Sequence, residues 1–249
     1  MSFNRINTHN NVRSPRGIRI LSYHEHVSNN SPRDIVINSV VSALSLVLFG
    51  FGVYLTIIAD IGAGPWDVLN LGLSNTFNCL YGTASICVAL SVLTVDILIK
   101  EPIGISMILD SVLVGKSVDL FNYLELFQSP ASLPMAIMLL VFGLIIMCIS
   151  QYYYMSAALG CGPRDSFLVG LSRHIRFIPI GAINIIVLVC ATLSGYLLGG
   201  NVGIGTIICA LCTGPIMQLV FYVMGFDATR VRHQNLRQSA AVMLRGSVR

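Results

Sequence analysis

Charge is scarce in this sequence. Asp, Glu, Lys and Arg together make up 10% of its 249 residues, against about 25% in a soluble domain. Hydrophobic residues make up 55%, and the mean hydropathy is +0.78. So little polar surface excludes a fold whose apolar interior is covered in water, and lipid is the remaining solvent. Nucleotide motifs are missing too. Gly199-Gly200-Asn201 joins two apolar runs with no βαβ unit around it, so it is no dinucleotide loop, and direct ATP drive has no support. Metal ligands are equally thin. Cys209-x-x-Cys212 has a redox or zinc spacing, but it lies inside an apolar run without a second ligand pair and reads as packing. His24-Glu25-His26 is a single triplet in a polar stretch, a poor metal site. With no nucleophile–base set and no ligand set, neither an enzyme nor a cofactor is expected, and no nucleic-acid partner. The seven cysteines fall mostly inside apolar runs, where they act as small hydrophobes rather than a disulfide framework.

What the sequence does contain is apolar length. Six stretches can cross a bilayer: Ile35–Ala59, Gly82–Ile99, Ile103–Tyr123, Met135–Ala158, Gly181–Leu198 and Gly203–Met224. A spanning helix needs roughly 20 such residues. The fold class expected is all-α polytopic membrane protein, in contact with lipid. The first run is too long for a signal-peptide h-region of about 7–15 residues, and it follows a polar stretch. Residues 1–33 read as a disordered cytoplasmic tail, 34–128 as a first membrane repeat, 129–225 as a second, and 226–249 as a basic cytoplasmic tail. Leu236, Ala240 and Met243 in that last tail have helical spacing, so either a short helix on anionic lipid or disorder is open.

Basic residues set the orientation. With six spans and a cytoplasmic N-terminus, fourteen of the fifteen Lys and Arg residues fall on the cytoplasmic side, and Lys116 lies within a span. Both termini are expected in the cytoplasm.

One motif occurs twice. Gly62-Ala63-Gly64-Pro65-Trp66-Asp67 leads to Gly72-Leu73-Ser74, and Gly160-Cys161-Gly162-Pro163-Arg164-Asp165 leads to Gly170-Leu171-Ser172, 98 positions on (160 less 62). Seven of thirteen aligned positions are identical. Internal duplication sets architecture before any other feature. The segments Pro65–Phe77 and Pro163–Ile175 are about 20 Å long as helices, too short to cross. Each repeat is then one span, one short re-entrant or broken helix and two further spans. Three crossings is an odd number, so two inverted repeats are expected, as in many secondary transporters. Gly104, Gly115, Leu120 and Tyr123 also align with Gly203, Gly214, Leu219 and Tyr222.

These paired motifs, with the run Gly203-Ile204-Gly205-Thr206, make the chain resemble the YczE/YitT-type family of bacterial integral membrane proteins, over roughly residues 40–225. The resemblance implies a bacterial inner-membrane location. It implies little chemistry, because that family is largely uncharacterised.

The candidate binding residues are Gly64, Trp66, Asp67, Gly162, Arg164, Asp165 and Asp110. The glycines allow a turn, Pro suits the first helical position, and Asp at the third complements the helix dipole. A well-capped helix start explains this pattern. Helix starts at membrane depth also bind ions, which is the functional alternative. Trp66 suits an external interfacial belt and Arg164 the cytoplasmic side. Four ionisable residues fall within spans, each costing on the order of 2.5–3.5 kcal/mol at a helix centre. Asp96 is expected to pair with Lys100 at i,i+4, and Asp119 with Lys116 at i,i+3. Asp110, close to mid-bilayer, is expected to face the interior, where either a structural role or a functional one is open. Tyr152-Tyr153-Tyr154 reads as an interfacial anchor. The function expected is a small-molecule permease with its site between the repeats. The alternative is a non-transporting accessory or scaffold protein supporting other membrane machinery. A homo-oligomer or a membrane-protein partner fits either.

Overall fold

Long runs of apolar residues leave the backbone no partner but itself in lipid, and a helix satisfies every such group within one segment. The computed structural model of the chain follows that rule. It describes residues 31–175, 177–228, 231 and 233–246. Among them there are nine helices and no strand: α1 Pro32–Ile58, α2 Pro65–Phe77, α3 Tyr81–Leu98, α4 Ile105–Tyr123, α5 Leu133–Ser156, α6 Pro163–His174, α7 Ile180–Leu197, α8 Ile204–Val223 and α9 Leu236–Gly246. Ser31 caps α1 through the Arg33 N–H, and Pro32 opens the helix, three residues before the expected span. The His24-Glu25-His26 triplet lies outside the described residues.

Five of these helices are long and apolar enough to cross a membrane: α1, α3, α5, α7 and α8. The sixth expected span forms as α4, a helix of 19 residues, but it falls short in apolarity. Asp110, Lys116 and Asp119 are the reason. α4 is packed by α1 and α3 and touches α6; Asp110 and Asp119 meet protein, and Lys116 is exposed. The outer faces of the bundle carry exposed Leu44, Met138, Ile185 and Leu211, as a lipid-contacting protein requires.

The two halves pack in a mirrored pattern. α1 lies on α4 as α5 lies on α8, α2 on α7 as α6 on α3, and α2 on α3 as α6 on α7. The largest contact is α1 with α5, the first helix of each half. Their backbones touch where Gly52 meets Gly143, since a Cβ on either would stand 2.8 Å from the other's carbonyl oxygen. One contact has no comparable counterpart: α3 packs firmly on α4, whereas α7 and α8 do not pair this way.

Hydrogen bonds repeat the same exchange. Gly205 donates its N–H to the Ile61 carbonyl at 2.7 Å, and Ser106 donates to the Leu159 carbonyl at 3.1 Å. Leu159 follows Ile61 by 98 positions, and Ser106 precedes Gly205 by 99. The next residues, Gly62 and Gly160, have φ of +107° and +117°, a conformation that glycine alone adopts without strain. These contacts fix helix direction. The Ser42 hydroxyl, in the first half of α1, is 2.8 Å from that of Ser106 at the start of α4, and Tyr54, near the end of α1, donates to the Phe127 carbonyl beyond the end of α4. α1 and α4 therefore run alongside in the same sense. α5 ends where α4 begins, so α5 runs against α1, and the chain enters α2 and α6 from opposite ends of the bundle.

At the end where α4 begins, residues after α8 dock back on the bundle. Gln234 donates to the Ala158 carbonyl and Leu236 to the Ile103 carbonyl, each at 2.8 Å. Of the two possibilities for the tail, a helix forms: α9 starts from this docked segment and buries Ser239.

Candidate functional site

The paired motifs start two helices in the same way. Gly64 and Gly162 are extended N-cap residues (φ −60° and −65°) without side-chain caps, and Pro65 and Pro163 occupy the first helical position. The chain then returns to helical hydrogen bonding, Val68 N–H to the Gly64 carbonyl and Ser166 N–H to that of Gly162. Asp67 and Asp165 follow in the first turns. A capping role would turn each carboxylate onto its own backbone. Each instead takes a tyrosine hydroxyl from another helix. Tyr81 of α3 donates to Asp67 at 2.8 Å, and Tyr154 of α5 donates to Asp165 at 3.0 Å.

The two tyrosines are not repeat partners. The position 98 before Tyr154 is Thr56, which bonds within its own helix to the Val53 carbonyl, and the position 98 after Tyr81 is Pro179. The duplicated carboxylates have thus acquired different partners on the same design.

Arg164 joins the two motifs. Its guanidinium stands 4.0 Å from the Asp67 carboxylate and 5.2 Å from the centroid of the Trp66 ring. Arg164 is about a quarter exposed, and Asp67 is buried. A cation over an indole face is attracted by the ring quadrupole. This corrects the expectation that Trp66 and Arg164 belong to opposite interfaces. The Trp66 side chain is spent on Arg164, because the two helix starts approach one another.

A cavity of ≈ 80 Å³ opens beside Arg164, lined by Asp110, Asp165, Tyr154, Gln151, Ser85 and Gly162 among others. Asp110 reaches it from α4. A Cβ on Gly162 would stand 2.7 Å from Asp110 Oδ2, so the missing side chain gives that carboxylate its room. Asp110 has no hydrogen-bond partner among the described residues, while Lys116 on the same helix is exposed. On the other side, Asn70 donates through Nδ2 to the Tyr81 hydroxyl at 3.1 Å. Asn70 is fully buried, and its Oδ1 has no partner among the described residues. All seven residues expected from the sequence therefore lie around Arg164 or this cavity.

Other expectations need correction. Asp96 does not pair with Lys100. Lys100 has φ +62° and is exposed. The left-handed turn closes with Glu101 N–H on the Asp96 carbonyl at 2.9 Å, which turns Glu101 back toward the helix end and leaves Lys100 outside. Glu101 then takes Arg173 of α6 at 3.1 Å, and both Asp96 carboxylate oxygens are buried without a partner among the described residues. Asp119 does not pair with Lys116 either; it accepts the Gly82 N–H at 2.7 Å and so caps the start of α3. The tyrosine triplet is not a simple anchor. Tyr153 is exposed, but Tyr152 packs on Phe226 and Tyr154 serves Asp165.

Sequence reasoning missed Tyr81, Tyr154, Asn70 and Gln151. A buried hydroxyl or amide must find a partner, and a tyrosine inside an apolar run beside an unpaired acid is the signal that was there to read.

Comparison with known proteins agrees with this fold class. Residues 36–221 match DUF6198, described as a family of unknown function. A protein of Haemophilus influenzae, named only as uncharacterized, is 25% identical over 180 residues, covering 72% of this chain and 81% of its own. The uncharacterized membrane protein YczE of Bacillus subtilis is 29% identical over 179 residues, covering 70% of this chain and 80% of its own. No solved structure matches the chain.

Proposed function

The chain belongs to the DUF6198 family of membrane proteins, and from that footing we propose that it is a small-solute permease whose site lies where α2 meets α6. One observation carries the reading: two short helices, one from each half and entered from opposite ends, join through Arg164 and Asp67 beside a cavity that Asp110, Asp165 and Gln151 help to line. Broken helices meeting at a repeat interface are the usual construction of secondary-transporter sites.

In this reading α4 completes six crossings, and the two halves are inverted repeats in a bacterial inner membrane with both termini in the cytoplasm. Asp110 of α4 supports this, since it borders the cavity rather than lipid. The site's residues hold charge and donate or accept hydrogen bonds; the protein moves a solute and is not an enzyme. Exchange between the mirrored packing arrangements would expose the cavity to each side in turn.

The test is uptake into proteoliposomes of the purified protein against pooled small solutes, with the Asp67→Asn, Asp165→Asn double variant beside it. Saturable uptake that the double variant loses while remaining monodisperse is expected. Uptake equal in both proteins would reduce the motifs to helix starts, and no uptake of any solute would leave the accessory role as the better reading.

A further inference from the structure

The tail after α8 takes no part in the site, yet its helix is specified in detail. Gln238 gives its backbone N–H to the Asn235 side chain at 2.8 Å, and Asn235 gives its own to the Gln238 side chain at 3.1 Å. That reciprocal pair is a capping box at the start of α9. A helix of 11 residues is still marginal in water when isolated, so it needs a surface to lie on. The bundle supplies one side. The Gln234 and Leu236 N–H groups are held by the Ala158 and Ile103 carbonyls, α9 packs on α1, and Ser239 is buried.

A second side is left uncovered. Leu236, Ala240, Met243 and Leu244 stand at i, i+4, i+7 and i+8, one stripe of a helix, and all four are exposed. Leu244 is 70% exposed. Arg237 and Gln238 are exposed beside the stripe. Charge indicates what covers it. Residues 228–249 hold five arginines and no Asp or Glu, so the surface they fit is anionic.

Position agrees with charge. Ile103 lies just before α4 and Ala158 just after α5, so α9 begins level with the ends of long helices, at headgroup depth. α1, on which α9 packs, exposes Val36, Ile37 and Val40 near its own start, so both helices show apolar surface at this end. At about 16 Å, α9 is too short to cross. A basic amphipathic helix of this kind rests in the interface.

We propose that α9 anchors the tail to anionic lipid: its apolar stripe enters the edge of the acyl layer, and Arg237 meets lipid phosphates. The tail's remaining positive charge adds attraction to the same surface. Three large apolar side chains and a few charges would hold a free peptide weakly. Docking through Gln234 and Leu236 keeps the helix beside the bilayer, and tethering raises its effective concentration there. The inference holds whether or not the protein transports.

The test uses the full-length chain, made cysteine-free, with a spin label at Ala240 on the stripe or at Ala241 beside it. Each is placed in nanodiscs of phosphatidylcholine alone or with increasing phosphatidylglycerol. Accessibility to oxygen, which concentrates in lipid, is compared with accessibility to a water-soluble nickel chelate. With phosphatidylglycerol the label at 240 should favour oxygen and the label at 241 the chelate. The Arg237→Gln, Arg245→Gln double variant should lower the ratio of lipid-bound to free tail roughly tenfold or more, and high salt should act in the same direction. If the cysteine-free chain is not monodisperse, a fluorescent residue built in at position 240 of the natural chain must shift to the blue as phosphatidylglycerol is added. A residue 240 that stays in water at every composition overturns the proposal, as does burial that is equally deep in phosphatidylcholine alone. Dipolar broadening between labels on neighbouring copies would put a second copy on the stripe and overturn it too.

Discussion

The guanidinium of Arg164 lies 4.0 Å from the carboxylate of Asp67, so a residue of the second motif neutralises a residue of the first. The carboxylate is common to both copies, as Asp67 and Asp165, but the cation is not. Trp66 occupies the position of Arg164 in the first copy, and it serves instead as the ring on which the cation rests. Duplication supplied two like helix starts, and divergence at one position made them complementary.

Removing Arg164 should therefore cost more than removing its partner. Arg164→Gln leaves Asp67, Asp165 and Asp110 without their shared cation; since Arg164 is about a quarter exposed, the loss should fall below the roughly 3–5 kcal/mol of breaking a fully buried pair from one side. Asp67→Asn removes a charge from a site already negative and should cost clearly less. Unfolding in a denaturing detergent series reads the difference. Equal losses, or a smaller loss for Arg164→Gln, would show that the pair does not hold the helix starts together.

The tyrosines give a second comparison. Tyr81→Phe and Tyr154→Phe each delete one hydroxyl bonded to a carboxylate, a bond worth about 1.5–3 kcal/mol. Tyr81→Phe should do the larger damage, because the same hydroxyl also accepts from Asn70 at 3.1 Å, and its loss strands the whole buried amide. Stability of the two variants in one detergent series checks the order; Tyr81→Phe as stable as wild type would remove it from the network.

Glycine replacements test the mirrored crossings. A methyl group on Gly104 would run into the Leu159 carbonyl, and one on Gly203 into the Ile61 carbonyl. Both obstacles are backbone and cannot rotate away. Gly104→Ala and Gly203→Ala should each abolish the monodisperse protein. Gly181 and Gly214 have open space there, and Ala at either should be tolerated within about 0.5 kcal/mol. Size-exclusion profiles decide, and tolerance at Gly104 or Gly203 would mean that the halves do not meet as described.

How much of this was legible in the sequence follows from which interactions leave a trace there. Apolar length marked every long helix, and Gly-x-Gly-Pro-x-Asp marked both short ones, since turn, start and first-turn charge each demand a residue type. The gathering of Asp67, Arg164, Asp165 and Asp110 was foreseeable from pseudo-symmetry. Their partners were not. Tyr154 sits among aromatic neighbours and looks the same whether it turns to lipid or to an acid, until packing decides. Lys100 adopts a left-handed conformation usual for glycine or asparagine, so its spacing from Asp96 pointed to a pair that the turn prevents. The docking of residues 234 and 236 is made by backbone N–H groups, which no side-chain pattern records.

That docked tail should respond to acid. His233 lies in it, partly buried, with Nδ1 sealed from solvent and without a partner among the described residues. Burial penalises the charged imidazole and holds its pKa below the ordinary 6.5. The released tail binds the proton more readily than the docked one. Docking is therefore undiminished above about pH 6.5 and weakens as pH falls from there toward the lower docked value. His233→Gln cannot charge, and its tail should stay docked across the same range. Spin labels at the exposed positions Lys100 and Met243, in a cysteine-free background, report the separation. A distance distribution that broadens below about pH 6.5 in the parent chain, and holds in His233→Gln, is the expected result. Broadening at the same pH in both chains would assign the response to another group, and no broadening in either would mean that the backbone bonds of Gln234 and Leu236 outweigh the cost of a buried charge.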